Sequence, residues 1–135
     1  MTYYIEDIQG IGPAFADKLS AAKITTTSEL LDHCCTPAGR KKVSGITGVG
    51  EGQILKWTNM ADLMRIAGVG PQYSELLEGA GVDTVKELRH RNAANLAVRM
   101  EEVNQEKHVS GSSPAEKTIQ EWINIAKSIE PGISY

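Results

Sequence analysis

Ile8-Gln9-Gly10-Ile11-Gly12-Pro13 and Ile66-Ala67-Gly68-Val69-Gly70-Pro71 carry one pattern 58 positions apart, and Ile46-Thr47-Gly48-Val49-Gly50 repeats its centre between them. Two glycines around one aliphatic residue let the backbone reverse where a Cβ would clash. A segment that reads as helical follows each turn at once. Such a turn is expected to aim free backbone N–H groups outward at a helix start, where an anion is welcome.

The register holds beyond the turns. Phe15 pairs with Tyr73, Leu19 with Leu77, Ala22 with Ala80, Ile24 with Val82, Thr26 with Thr84, Glu29 with Glu87 and Leu30 with Leu88. Chance does not preserve turn, spacing and cap together, so the chain reads as an internal duplication. Pro13 and Pro71 fit the first helical position, where a missing N–H costs nothing. Thr26-x-x-Glu29 and Thr84-x-x-Glu87 read as capping boxes that open the next helix. Between them, Ala21-Ala22-Lys23 and Gly79-Ala80-Gly81 read as helix exits, and Gly81 is the better stop.

After these matched segments the halves diverge but keep a plan. Thr36-Pro37 opens a short basic helix through Arg40-Lys41-Lys42, and the middle turn leads into Ile54-Leu55-Lys56-Trp57 and on to Met64. In the second half, Arg91-Asn92 opens a helix to about Glu106. Ser110 to Ser113 then looks like a fourth turn that has lost its pattern. A capping box Ser113-x-x-Glu116 is expected to begin the last helix. Trp57 and Trp122 are expected to plug equivalent positions of two half-cores. Alternating β-branched runs are missing, so no strand is expected. The reading is all-α: a duplication of residues 1–64 and 65–135, packed as one compact unit.

Composition bounds the function. A chain of 135 residues with 41% hydrophobic and 23% charged residues is ordinary for a globular protein. Its formal charge of −3 argues against coating nucleic acid by bulk electrostatics. The start, Met1-Thr2-Tyr3-Tyr4-Ile5-Glu6-Asp7, is acidic and lacks the apolar run of a secretory signal, and no stretch has transmembrane length. A cytoplasmic protein with no membrane contact is the expectation. Cys34 and Cys35 are adjacent, which suits neither a structural disulfide nor a zinc site, and no metal is expected at His33-Cys34-Cys35.

The order apolar-x-Gly-apolar-Gly-x-x-x-Ala-x-x-apolar resembles the helix-hairpin-helix motif of nucleic-acid-handling proteins. Ile8, Gly10, Ile11, Gly12, Ala16 and Leu19 fit it throughout, and Ser74 stands for the alanine in the third copy. The middle copy departs, with Ile54 at the small position and Gly52 inside the following helix. Thr36-Pro37-x-Gly39-Arg40, Trp57-Thr58-Asn59-Met60-Ala61-Asp62-Leu63, Val103-Asn104-x-Glu106-Lys107 and Trp122-Ile123-x-x-Ala126-Lys127 extend the likeness over essentially the whole chain. In that order the chain resembles a bacterial family of tandem helix-hairpin-helix proteins, domain of unknown function 4332.

The resemblance implies that the amides of Gly10, Ile11 and Gly12, and of Gly68, Val69 and Gly70, hold phosphate oxygens of DNA or another nucleic acid without reading sequence. It also implies that carbonyls of the same loops can take a monovalent cation. Lys18 and Lys23 are the basic candidates behind the first turn. Arg40, Lys41 and Lys42 form the densest cluster, and Lys86, Arg89, His90 and Arg91 a second. Asp17, Glu51, Glu75 and Glu78 oppose such a role, or else serve the helix dipoles.

Catalysis is not expected. Asp83 and Lys86 follow the third turn but fall on a capped helix start, and His33, His90 and His108 lack evident partners. The expectation is non-sequence-specific nucleic-acid contact, with a protein-interaction adaptor as the rival from a different class. Acidic composition favours the rival, and the intact Gly-x-Gly turns favour the first.

Overall fold

Glycine corners decide where the helices begin. Gly10 and Gly68 sit at φ +91° and +94°, a region open to glycine at little cost, and turn the chain into helices headed by Pro13 and Pro71. The computed structural model describes residues 2–135; Met1 lies outside them. A 3-10 turn at Ile5–Asp7 precedes α1 (Pro13–Ala21), α2 (Thr27–Cys34), α3 (Pro37–Thr47) and α4 (Glu51–Leu63). Then follow α5 (Pro71–Gly79), α6 (Val85–Leu88), α7 (Ala93–Lys107) and α8 (Glu116–Ser128). The described residues hold no strand, only an isolated antiparallel bridge between Tyr4 and Thr26.

The two copies of the pattern adopt the same local conformations. Each first helix ends in a paired-bond stop: Ile24 N–H reaches Leu19 O at 2.9 Å and Lys23 N–H reaches Ser20 O at 2.9 Å. Val82 and Gly81 make the matching bonds to Leu77 and Glu78 at 2.8 and 3.0 Å. This stop needs a left-handed residue, and Lys23 takes φ +66° where the second copy has Gly81 at +92°. Thr26 and Glu29 form the full reciprocal cap of α2. At α6 the reciprocal bond is displaced: Glu87 N–H donates to Thr84 Oγ1, but Glu87 Oε2 takes the Asp83 amide at 2.8 Å.

Two hydrophobic clusters follow. One gathers Ile5, Ile8, Ile11, Leu19, Ile24, Leu30 and Ile54 around Trp57; the other gathers Ile66, Val69, Leu77, Val82, Leu88 and Met100 around Trp122. Each tryptophan lies under its own glycine corner. A Cβ on Gly10 would stand 3.6 Å from Trp57 Nε1, and one on Gly68 would stand 3.2 Å from Trp122 Nε1. Phe15 and Tyr73 complete the likeness, with ring centroids 5.2 and 5.3 Å from their tryptophans. α4 joins the clusters, since Leu63 packs in one and Met64, its next residue, in the other.

One expected cap is corrected. α8 begins at Glu116 with Ala115 as its cap residue and no side-chain hydrogen bond, so the Ser113 box does not form. Asn104 instead holds the loop: its side chain accepts Ser110 N–H at 2.9 Å and donates to Ser110 O at 3.1 Å. The stretch from Ser110 to Ser113 is therefore pinned from α7 and carries no helix start.

The last seven residues cross from the second cluster to the first. Arg89 donates to the Ala126 and Ile129 carbonyls, Arg65 to Glu130 O, and Arg40 to Ser134 O. Ser134 N–H donates to Cys35 O at 2.8 Å, and Tyr135 reaches Asn59 Oδ1 at 3.0 Å. Gly132 passes so close that a Cβ there would come within 2.5 Å of Asp62 Oδ1. Asp62 is buried; its Oδ2 accepts the Val85 amide at 2.9 Å, and burial pushes its carboxyl above the usual range.

Two stability tests follow from this local chemistry. Lys23→Gly relieves a left-handed side chain and is expected to raise stability by about 1 kcal/mol, while Gly81→Ala lowers it by a similar amount. Urea midpoints measure both. Glu29 is held below the usual carboxylate range by its bonds to Thr25 and then Thr26. Its stabilising contribution is complete above the unfolded value of about 4.3 and fades as pH falls through the folded value. The melting-temperature deficit of Glu29→Gln is therefore expected to be present at pH 7 and to shrink in acid.

Candidate nucleic-acid interface

The first turn is open. Gly10 and Gly12 are exposed around Ile11, which is buried and bonded through its N–H to Ile8 O at 3.1 Å. Gly12 caps α1 with φ −88° and ψ −176°, and its amide has no acceptor among the described residues. Pro13 has no N–H to offer, and no acidic residue stands in the first turn of α1. A Cβ on Gly12 would meet nothing within 4 Å, so a ligand can approach the backbone there. Phe15, 37% exposed, lies just behind, with Lys18 Nζ 5.6 Å from its ring centroid. Asp17 falls beyond the first turn, where the dipole is weaker.

The other two turns differ. Gly68 is exposed and Val69 buried, but Gly70 is half-buried with Tyr3 over it: a Cβ there would lie 3.5 Å from the Tyr3 hydroxyl. Tyr3 and Asp7 join Gly68, Gly70 and Tyr73 around a cleft of about 590 Å³. Asp7 thus shares this cleft with the third turn, from a segment distant in sequence. In the middle turn, Thr47 Oγ1 accepts the Val49 amide at 3.2 Å and Ser44 donates to Val49 O at 2.6 Å. Glu51 then occupies the first turn of α4. Of the three turns, only the first combines an open cap glycine with a helix start free of acids.

The basic residues sort by type. Arg40, expected at the interface, is 6% exposed: it donates to Cys34 O at 3.0 Å and Ser134 O at 2.9 Å, with Tyr135 stacked 5.9 Å away. This corrects its reading as a phosphate ligand. Its sequence neighbours Lys41 and Lys42 are exposed, and with Lys18 and Lys23 they make no ion pair among the described residues. The second cluster is dismantled in the same way. Arg89 holds Ala126 O at 2.6 Å, Arg91 reaches toward Ala80 O and Gly81 O, and Lys86 lines a cleft with Asp83 and Glu87.

What the chain order hides is a basic cleft in the first half. The exit of α1, the end of α2 and the middle of α3 bring Lys23, His33 and Lys42 around about 310 Å³, over Ala22, Val43 and Ile46. Along the chain His33 shows neither a metal partner nor a catalytic one, and its place in this cleft is set by tertiary packing. The signal for this grouping is Gly39: a Cβ there would overlap the His33 carbonyl at 2.1 Å, so only glycine lets α3 close on α2.

Several acids near the junction of the halves are raised by burial first, among them Glu75 and Asp83. Lys56 lies 3.9 Å from Glu78, between α4 and α5. Cys34 is buried and its thiol pushed up to about 11, which makes it a poor nucleophile at neutral pH. No group of His, Cys, Asp and Glu with metal-binding arrangement exists among the described residues, and no described helix is long and apolar enough to cross a membrane.

A family model described as "Domain of unknown function (DUF4332)" matches residues 9–129. No curated protein and no solved structure matches the chain.

The sorting of Arg40 from its neighbours is testable. Arg40→Ala strips donors from two carbonyls, one of them packed inside, and is expected to cost roughly 2–4 kcal/mol in urea unfolding. Lys41→Ala is expected to stay within about 0.5 kcal/mol of the parent.

Proposed function

The chain belongs to the DUF4332 family, and from that premise and the geometry above we propose that it binds nucleic acid without sequence preference through its first glycine turn. In this reading the Gly10–Gly12 turn works as a helix-hairpin-helix element. The observation that carries it is Gly12: an exposed residue whose amide has no acceptor among the described residues, heading a helix whose first turn holds no acid. A phosphate oxygen there meets the positive end of α1 and an N–H donor together. Lys18, Lys23, Lys41 and Lys42 add charge from the same half without an ion pair to any carboxylate among the described residues.

The third turn plays a lesser part in this reading, because Asp7 and Tyr3 stand before Gly68 and Gly70. Contacts limited to one turn and a few lysines give modest affinity, in the roughly 0.1 mM to micromolar range of non-specific binders, with steep salt dependence. Phosphate contacts fix position and carry no sequence information, and the described helices offer no long basic recognition surface. Two free cysteines suit a reducing cytoplasm.

The adaptor reading draws on the shielded third turn and on exposed apolar residues such as Ile46 and Val98, 53% and 59% exposed. Mobility shifts of single- and double-stranded oligonucleotides at two salt concentrations separate the two. The expected result is binding at low salt that weakens at least about tenfold when salt is raised fourfold. Lys18→Glu with Lys23→Glu is expected to weaken it at least about tenfold without changing helix content. Absence of binding at low salt and high protein concentration would leave the adaptor standing.

A further inference from the structure

We infer that the Lys23–His33–Lys42 cleft, two of whose lysines also lend charge to the polymer contact proposed above, is a binding site for a phosphate monoester, distinct from the Gly12 amide and able to act whether or not a polymer is attached. Three basic side chains from three segments converge on it, and no carboxylate lines it. Lys23 and Lys42 have no ion-pair partner among the described residues. Helix ends explain part of this, since His33 lies in the last turn of α2 and Lys23 just past α1, where cations suit the dipole. They do not explain Lys42, which stands in the middle of α3.

A second observation points the same way. Lys23 holds a left-handed conformation that disfavours any side chain, and the equivalent position of the other copy is Gly81. The strain is tolerated in the copy that has the cleft and absent from the copy that lacks it. The charged residue that carries this strain is the one that lines the cleft, which fits a site that uses its charge. The floor adds to the effect, because Ala22 and Val43 are buried and nonpolar and bring low-dielectric walls close to the charges.

The chemistry selects the ligand. A phosphate monoester carries about −1.5 to −2 charge at neutral pH and has three free oxygens, enough for two ammonium groups and an imidazole N–H. An internal phosphodiester carries a single charge and is blocked on two sides by its ester groups. The same monoester chemistry occurs at the end of a nucleic-acid strand and in a small phosphorylated molecule, and the test distinguishes the two.

Three probes are titrated against the full chain, with ¹⁵N chemical shifts and fluorescence anisotropy as readouts. They are a 5′-phosphorylated oligonucleotide, the same oligonucleotide with a 5′-hydroxyl, and thymidine 5′-monophosphate. The expected result is about fivefold or greater preference for the phosphorylated strand, with shifts at Lys23, His33 and Lys42. His33→Gln is expected to abolish that preference while leaving the affinity for the hydroxyl strand unchanged. Comparable shifts with the monophosphate assign the site to small phosphomonoesters, and shifts with the strand alone assign it to strand ends. Equal binding of both strands with no monophosphate response at the cleft would overturn the inference and leave the glycine-turn reading in place. Monophosphate binding without either strand would sustain the cleft and remove the polymer reading.

Discussion

The first and third glycine corners each rest on a tryptophan, and the rest of the molecule is arranged around that contact. A left-handed residue at Gly10 or Gly68 permits the turn, but a side chain there would also press on Trp57 or Trp122. The indole fills the centre of its cluster, so the corner, the helix it launches and the core beneath are fixed together. The cap glycine, one step beyond the buried aliphatic residue, is thereby held at the rim. Its amide can face solvent because everything inward of it is already packed.

The chain closes by a different device. Its last residues add little apolar surface, and arginines tie them down. Arg40, Arg65 and Arg89 each direct a guanidinium at a backbone carbonyl of this segment, of Ser134, Glu130 and Ile129 respectively, which joins one cluster to the other. A planar fork with five donors can satisfy several carbonyls and tolerate burial, and a lysine ammonium does this less well. Lysines accordingly remain at the surface. The separation of arginine from lysine leaves a formally acidic protein with exposed lysines in its first half, Lys18, Lys23, Lys41 and Lys42, that have no ion pair among the described residues.

The two similar turns sit in unequal surroundings. The first faces open solvent with Phe15 and Lys18 behind it. The third is met by the segment carrying Tyr3 and Asp7. The same division recurs at the helix exits, where Gly81 relaxes a conformation that Lys23 holds under strain. One copy is closer to a scaffold, and the other concentrates the features that suit an anion.

Much of the local architecture was legible in the amino acids. Gly-x-Gly-Pro, the Thr-x-x-Glu caps and the spacing of Leu19, Ile24, Leu77 and Val82 encode short-range bonds, whose partners lie within a few residues and leave a readable signature. The all-α class and the seats of Trp57 and Trp122 follow from those signatures. The Ser113 cap is absent because α8 starts at Glu116 with Ala115 as its cap residue, while Asn104 holds the loop at Ser110. Arg40, Lys41 and Lys42 look alike along the chain, yet Arg40 is buried by a carbonyl 94 residues away while Lys42 turns to a cleft with Lys23 and His33. Only tertiary structure decided that, because burial and ion pairing of a side chain depend on which distant backbone arrives beside it.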